Sequence, residues 1–269
     1  MRPERRESLI GAKAGGAVIW FISLMALEYI GALVSELLAI ILVVAGTYAY
    51  TRMTGCSIAG KIGFGMGCVM AAPLLVYYSV IMLISGAKGD ISAFLLPALT
   101  AGICEELIFR AVPISYIIHG CSGRITDRFR LVLVCVTAAL WALAHIANYI
   151  GTGEIQLAST NMQNIAAVVH SSATNAATNA ATTSATNAQL IIMLLQIISA
   201  FGAGILYAAI FIKCGNILPT ILIHIAGNLA GYMRIADGMT AQPTEVIIVS
   251  ITSAALGIMY LLYAKEKKQ

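Results

Sequence analysis

Charge is what this chain has least of. Of its 269 residues, 10% are Asp, Glu, Lys or Arg and 59% are hydrophobic, whereas a soluble domain carries roughly a quarter charged residues. The shortage comes with long uncharged stretches. That combination excludes an ordinary soluble domain and predicts an all-α polytopic membrane protein, long enough for about eight spans of about 20 residues each. Other signals are missing too. The six cysteines, Cys56, Cys68, Cys104, Cys121, Cys135 and Cys214, form no CxxC pair, so neither a disulfide framework nor a zinc knuckle is indicated, and they read as small apolar side chains in helices. There is no HExxH of a helical zinc protease and no GxSxG elbow of a serine hydrolase. The basic N-terminus, MRPERRESLIGAK, leads into an apolar run without a small-residue cleavage site, which predicts a retained first span.

The apolar segments fall at about 14–34, 37–50, 62–85, 91–118, 131–150, 189–212, 217–236 and 244–263, the second of them short. Eight spans put both termini on one side. Thirteen Lys and Arg residues then lie on the side of the termini, and two, Lys88 and Arg234, lie on the other. By the positive-inside rule both termini are expected in the cytoplasm. The membrane would be the cell membrane in a prokaryote and the endoplasmic reticulum in a eukaryote. The chain reads as a single membrane domain over 1–269, with the one long loop at 151–188 on the outer face. That loop contains SSATNAATNAATTSATNA, polar, uncharged and low in complexity, and reads as flexible. No nucleic-acid partner is expected; the bilayer is.

Against that background, the polar residues inside spans stand out. A charge at the centre of a membrane helix costs about 2.5–3.5 kcal/mol on insertion scales, and such groups face the protein interior, pair, and mark sites. The fourth span reads GICEELIFR, residues 102–110. Glu106 and Arg110 stand one turn apart and can pair, whereas Glu105 points about 100° away on a regular helix and has no local cation. The fifth span carries Trp141 and His145, and the seventh His224 and Asn228, each pair one turn apart. Small residues flank these groups, so three helices can approach closely enough for them to converge. Each has a blander reading: Glu106–Arg110 as an ion pair that orients its helix, His224 with Asn228 as interhelical hydrogen-bonding glue, Trp141 as packing. Glu28 and Glu36 also lie in or near the first two spans, and Glu28 has no partner in sequence.

The set Glu105-Glu106-x-x-x-Arg110, Trp141-x-x-x-His145 and His224-x-x-x-Asn228, in order and on separate spans, resembles the CPBP family, which groups CAAX proteases with bacteriocin-processing proteins and is also called the Abi family. The resemblance covers the fourth to seventh spans, within about 91–236. It departs at Trp141, where the family usually has Phe. It implies an intramembrane endopeptidase of the glutamate type, similar to the Ras-converting CAAX endopeptidase and acting on a membrane-associated or prenylated protein or peptide. Carried onto this chain, it makes Glu105 and His145 the groups that activate water, His224 and Asn228 the oxyanion donors, and Glu106, Arg110 and Trp141 the supports.

The chemistry is self-consistent. A buried carboxylate can take a proton from water, and an imidazole and an amide N–H one turn apart can meet one carbonyl oxygen. No cofactor is expected. The rival reading is zinc held by two His and one or two Glu from separate helices; Asn228 suits an amide donor better than a metal ligand. A proton path of a transporter, or a membrane immunity protein without catalysis, are the alternatives of another class. Because the fourth span enters from outside and places Glu105 at mid-depth, the site is expected to open towards the cytoplasmic half.

Overall fold

The computed structural model describes residues 3–59, 63–85, 91–120, 126–146, 180–236 and 241–263. Among them, the chain forms helices α1 (Pro3–Ala32), α2 (Glu36–Thr54), α3 (Gly63–Ile84), α4 (Ile91–Thr100), α5 (Val112–Gly120), α6 (Asp127–Ala144), α7 (Ala180–Cys214), α8 (Leu218–Ala236) and α9 (Pro243–Tyr263). Two π-helical turns, Ala101–Glu105 and Leu107–Ala111, join α4 to α5, so this stretch crosses as one rod. The only pairing of strand type among the described residues is an isolated bridge between Ala59 and Asn216.

Every expected span is helical where it is described. Among the described residues, six stretches are long and apolar enough to cross a membrane: Gly15–Ala32, Glu36–Thr54, Gly63–Ile84, Ser92–Gly120, Leu190–Cys214 and Pro243–Leu262. The fifth and seventh expected spans, α6 and α8, fall outside that set, and they carry Trp141, His145, His224 and Asn228. Helix α6 opens on Asp127, Arg128 and Arg130, and α8 holds His224, Asn228 and Arg234. The polar residues that make a site are those that dilute a span.

Three boundaries differ from expectation for readable reasons. The second span is not short: α2 runs 19 residues, with the Ser35 hydroxyl accepting from the Leu38 N–H at its start and Gly55 at φ 71° closing its end. Helix α6 stops at Ala144, and His145 lies in the turn that follows. Helix α7 begins at Ala180, inside the Ala-Thr-Asn stretch expected to be loop; alanine is the best helix former, and a helix can run on past the apolar segment. The rest of that loop, residues 151–179, lies outside the described residues, as do residues 147–150 of the fifth expected span.

The span holding the EExxxR motif is the most enclosed, 44% buried against 17–33% for the other five. Small residues set the spacing of the helices around it. Helices α3 and α8 run parallel, with Gly67 against Pro219 and Gly227 against Tyr78. Helices α7 and α9 also run parallel: a Cβ on Gly257 would fall 2.9 Å from the Leu206 Cα, and one on Gly202 would collide with the Ser250 carbonyl oxygen. In a membrane, where lipid is as apolar as a leucine side chain, such close backbone approach supplies much of the association. Five cysteines, Cys56, Cys68, Cys104, Cys135 and Cys214, are free thiols, as expected; Cys121 lies outside the described residues.

Gly202→Ala forces the Ser250 backbone to retreat. It is expected to destabilise the protein by about 1–3 kcal/mol, seen as a lower unfolding temperature in detergent, whereas Gly65→Ala, which meets open space, leaves that temperature unchanged.

Candidate active site

Glu106 and Arg110 are both fully buried, with Arg110 Nη1 donating to Glu106 Oε1 at 2.8 Å. The π turns on either side of Glu106 widen the helix where both carboxylates project; π-bulges often accompany functional sites, and a regular helix was expected. Gly102 in the first of these turns lies against Ile225 of α8, where a side chain would collide. That contact brings the neighbouring helix onto the motif.

Helix α8 places His224 across from both carboxylates. Its Nδ1 lies 3.0 Å from Glu106 Oε1 and its Nε2 lies 3.7 Å from Glu105 Oε2. A carboxylate only accepts, so Nδ1–H is the donor to Glu106. Glu106 Oε1 therefore receives both Arg110 and His224. The guanidinium carbon of Arg110 sits 3.8 Å from the centre of the Trp141 ring, a cation–π contact with a water-excluded partner. Glu106 Oε2 and Arg110 Nε and Nη2 have no hydrogen-bond partner among the described residues.

Glu105 is differently placed. Its side chain is 26% exposed, and it accepts a hydrogen bond of 2.5 Å from the indole N–H of Trp141. This gives the departure from the usual Phe a physical meaning: Trp keeps the aromatic face under Arg110 and adds a donor that holds Glu105. His145 packs edge-on against the same indole, with ring centres 5.1 Å apart. Its Nδ1–H donates to the Trp141 carbonyl oxygen at 2.8 Å, which leaves Nε2 as the basic nitrogen.

A cavity of about 290 Å³ adjoins this cluster and is lined by Trp141, His145, His224 and Asn228, among others. Glu105 is not in its wall but touches two residues that are. Thus Glu105, Glu106, Arg110, Trp141 and His224 form one connected cluster, and His145 joins through Trp141. Asn228 faces the cavity; among the described residues no hydrogen bond ties it or His145 to Glu105. No three His, Cys, Asp or Glu side chains among the described residues are grouped to hold a metal ion.

The wall of this cavity comes from the later turns of α3, the end of α6, the middle of α7, the middle and last turns of α8 and the first turns of α9. Trp141 lies in the last turn of α6, and on α8 the polar groups run from His224, before its middle, to Arg234 in its last turn.

Two residues escaped the sequence. Tyr207 of α7 is buried, with its ring 5.8 Å from His224 and 6.1 Å from Trp141, and with Tyr78 of α3 it lines the cavity. Both tyrosines stand in runs of apolar residues, where the hydroxyl leaves no periodic signal. Glu28 of α1, without a partner in sequence, stands near enough to Glu105 for the two carboxylates to repel.

A family model described as "Type II CAAX prenyl endopeptidase Rce1-like" matches residues 87–230, more than half of the chain. No curated protein and no solved structure matches it.

Removing Arg110 leaves Glu106 as an uncompensated buried charge. Arg110→Ala is expected to cost about 3–5 kcal/mol, read as loss of folded protein from membranes. The double variant Glu106→Gln/Arg110→Met, which removes both charges, should recover most of that yield.

Proposed function

Because the chain belongs to the Type II CAAX prenyl endopeptidase Rce1-like family, and is therefore a multi-pass membrane hydrolase of peptide bonds, we propose that it cleaves membrane-associated peptides with water activated at Glu105 and His145. The observation that carries this reading is the convergence of Glu105, Glu106, Trp141 and His224 from three helices, at 2.5–3.7 Å, beside a cavity that His145 and Asn228 also line.

Each group has a role its geometry supports. Glu105, held by the Trp141 N–H, takes a proton as the water oxygen bonds to the scissile carbonyl carbon. His145 lines the cavity, and its Nε2, left basic by the Nδ1–H bond, orients that water. The Asn228 amide and the His224 ring are the donors to the carbonyl oxygen as it gains charge. With Nδ1–H committed to Glu106, His224 donates from Nε2 once that nitrogen is protonated, and Glu105 is the neighbouring acid. When the C–N bond breaks, the proton goes to the leaving amine. Arg110 and Glu106 fix the His224 ring and take no part in bond making. A prenylated peptide is the substrate class that the family's description suggests. The Lys and Arg distribution supports a cytoplasmic location for both termini.

Cleavage of a membrane-anchored peptide by purified protein in liposomes tests the assignment. Glu105→Gln, His145→Ala and His224→Ala are expected to abolish cleavage while the protein still inserts, and Asn228→Ala to lower kcat by about 10²–10³. Exhaustive metal removal should leave the rate unchanged. Normal cleavage by Glu105→Gln would overturn the role of that residue, and activity lost on metal removal and restored by zinc would replace this mechanism with a metal-dependent one.

A further inference from the structure

At the far end of the same cavity stands a second polar assembly that the catalytic reading leaves unused. Arg234, in the last turn of α8, donates from Nη1 to Glu245 Oε1 at 2.6 Å and from Nη2 to Glu245 Oε2 at 2.9 Å. The Tyr77 hydroxyl donates to Glu245 Oε1 at 2.6 Å. All three residues line the cavity shared by His145, His224 and Asn228. Arg234 is the one Lys or Arg among the described residues that line it, since Arg110 is sealed beneath Trp141.

We infer that Arg234 reads the free C-terminal carboxylate of the substrate, and so selects peptides that end a few residues beyond the bond to be cut. This rests on the endopeptidase reading above. Three observations support it. First, the in-plane, two-point pairing with Glu245 shows that the guanidinium is already positioned for a carboxylate, the geometry by which arginine recognises that group. Second, the pair is accessible, at 18% and 30% side-chain exposure; the planar fork has five N–H donors, of which Glu245 takes two, so an arriving carboxylate can share the guanidinium or displace Glu245 onto Tyr77.

Third, the spacing fits. Along α8, Arg234 lies about 9 Å beyond Asn228 and about 15 Å beyond His224 at 1.5 Å per residue. An extended peptide advances about 3.3 Å per residue, so a carbonyl held between His224 and Asn228 puts a carboxylate three to four residues downstream beside Arg234. Three is the number of residues that follow the cysteine of a C-terminal CAAX sequence. Besides the two polar ends the wall presents Ala200, Ala203, Gly231, Val246 and Val249 together with the uncharged Gln196 and Ser199, suited to uncharged side chains of such a segment.

The test uses the full-length protein in liposomes and anchored peptides with three residues beyond the scissile bond, ending either in a free acid or in a carboxamide, plus a free acid with six residues beyond it. The wild type is expected to prefer the short acid over the short amide by about tenfold or more in kcat/KM, and over the long acid similarly. Arg234→Gln should bring the acid-to-amide ratio towards one. Should that variant fail to accumulate, Glu245→Gln keeps the arginine, removes its competitor, and should lower KM for the short acid and raise the ratio. Equal cleavage of acid and amide by the wild type, or a ratio unmoved by either variant, overturns the inference and makes the pair a clamp between α8 and α9. The parallel Glu105→Gln assay separates the two claims: cleavage surviving there defeats the catalytic reading while the ratio still judges Arg234. If the wild type cleaves none of the peptides, both fall.

Discussion

Everything in this site hangs on one buried carboxylate oxygen. Glu106 Oε1 receives Arg110 from its own helix and His224 from α8, and neither Glu106 nor Arg110 reaches solvent or lipid. In hydrocarbon an unpaired charge there would be untenable, so the pair forms as a unit. Because Arg110 is then pressed against Trp141 and His224 is drawn onto Glu106, three helices are fixed relative to one another by electrostatics as well as by packing. The glycine contacts of α3 with α8 and of α7 with α9 permit that approach, and the charge pair gives it direction.

From this constraint the division of labour between two adjacent glutamates follows. They are neighbours in sequence and differ entirely in environment. Glu106 is enclosed, and its Oε1 is held by the Arg110 guanidinium and the His224 N–H. Glu105, partly open and held by a single indole N–H, stands beside the second nitrogen of the same histidine. A structural carboxylate and a reactive one are thus separated by one residue of helix, with π turns on both sides to set their directions. Arg234 and Glu245 extend the logic to the other end of the cavity, where a charge pair is left accessible instead of sealed.

Much of this was legible in the sequence because polar residues inside apolar spans are few. EExxxR, the aromatic before His145 and the His224–Asn228 pair each stood out against uncharged neighbours, and the one-turn spacing of Glu106 and Arg110 gave their ion pair directly. The membrane class and the helix positions followed from hydrophobic runs, whereas the full length of α2 did not, because its caps Ser35 and Gly55 lie outside the apolar run. What was not legible has physical causes. Nothing local distinguishes a π turn from an α turn in GICEELIFR, since the widening belongs to its contact with α8. Tyr207 and Tyr78 are amphipathic residues in apolar runs, so their role appears only once α3 and α7 are side by side. Arg234, at the end of an apolar run, was read only for the side of the membrane it marks; its partner Glu245 comes from α9.

The central claim is that these groups converge on one reacting carbonyl. An experimental structure of the protein with a peptide carrying a tetrahedral mimic of the hydrated scissile carbonyl measures that most directly. The account predicts one mimic oxygen at about 2.7–3.1 Å from both His224 and Asn228, with the other within hydrogen-bond reach of Glu105. A mimic bound elsewhere, or one whose oxygens meet neither His224 nor Glu105, would contradict it.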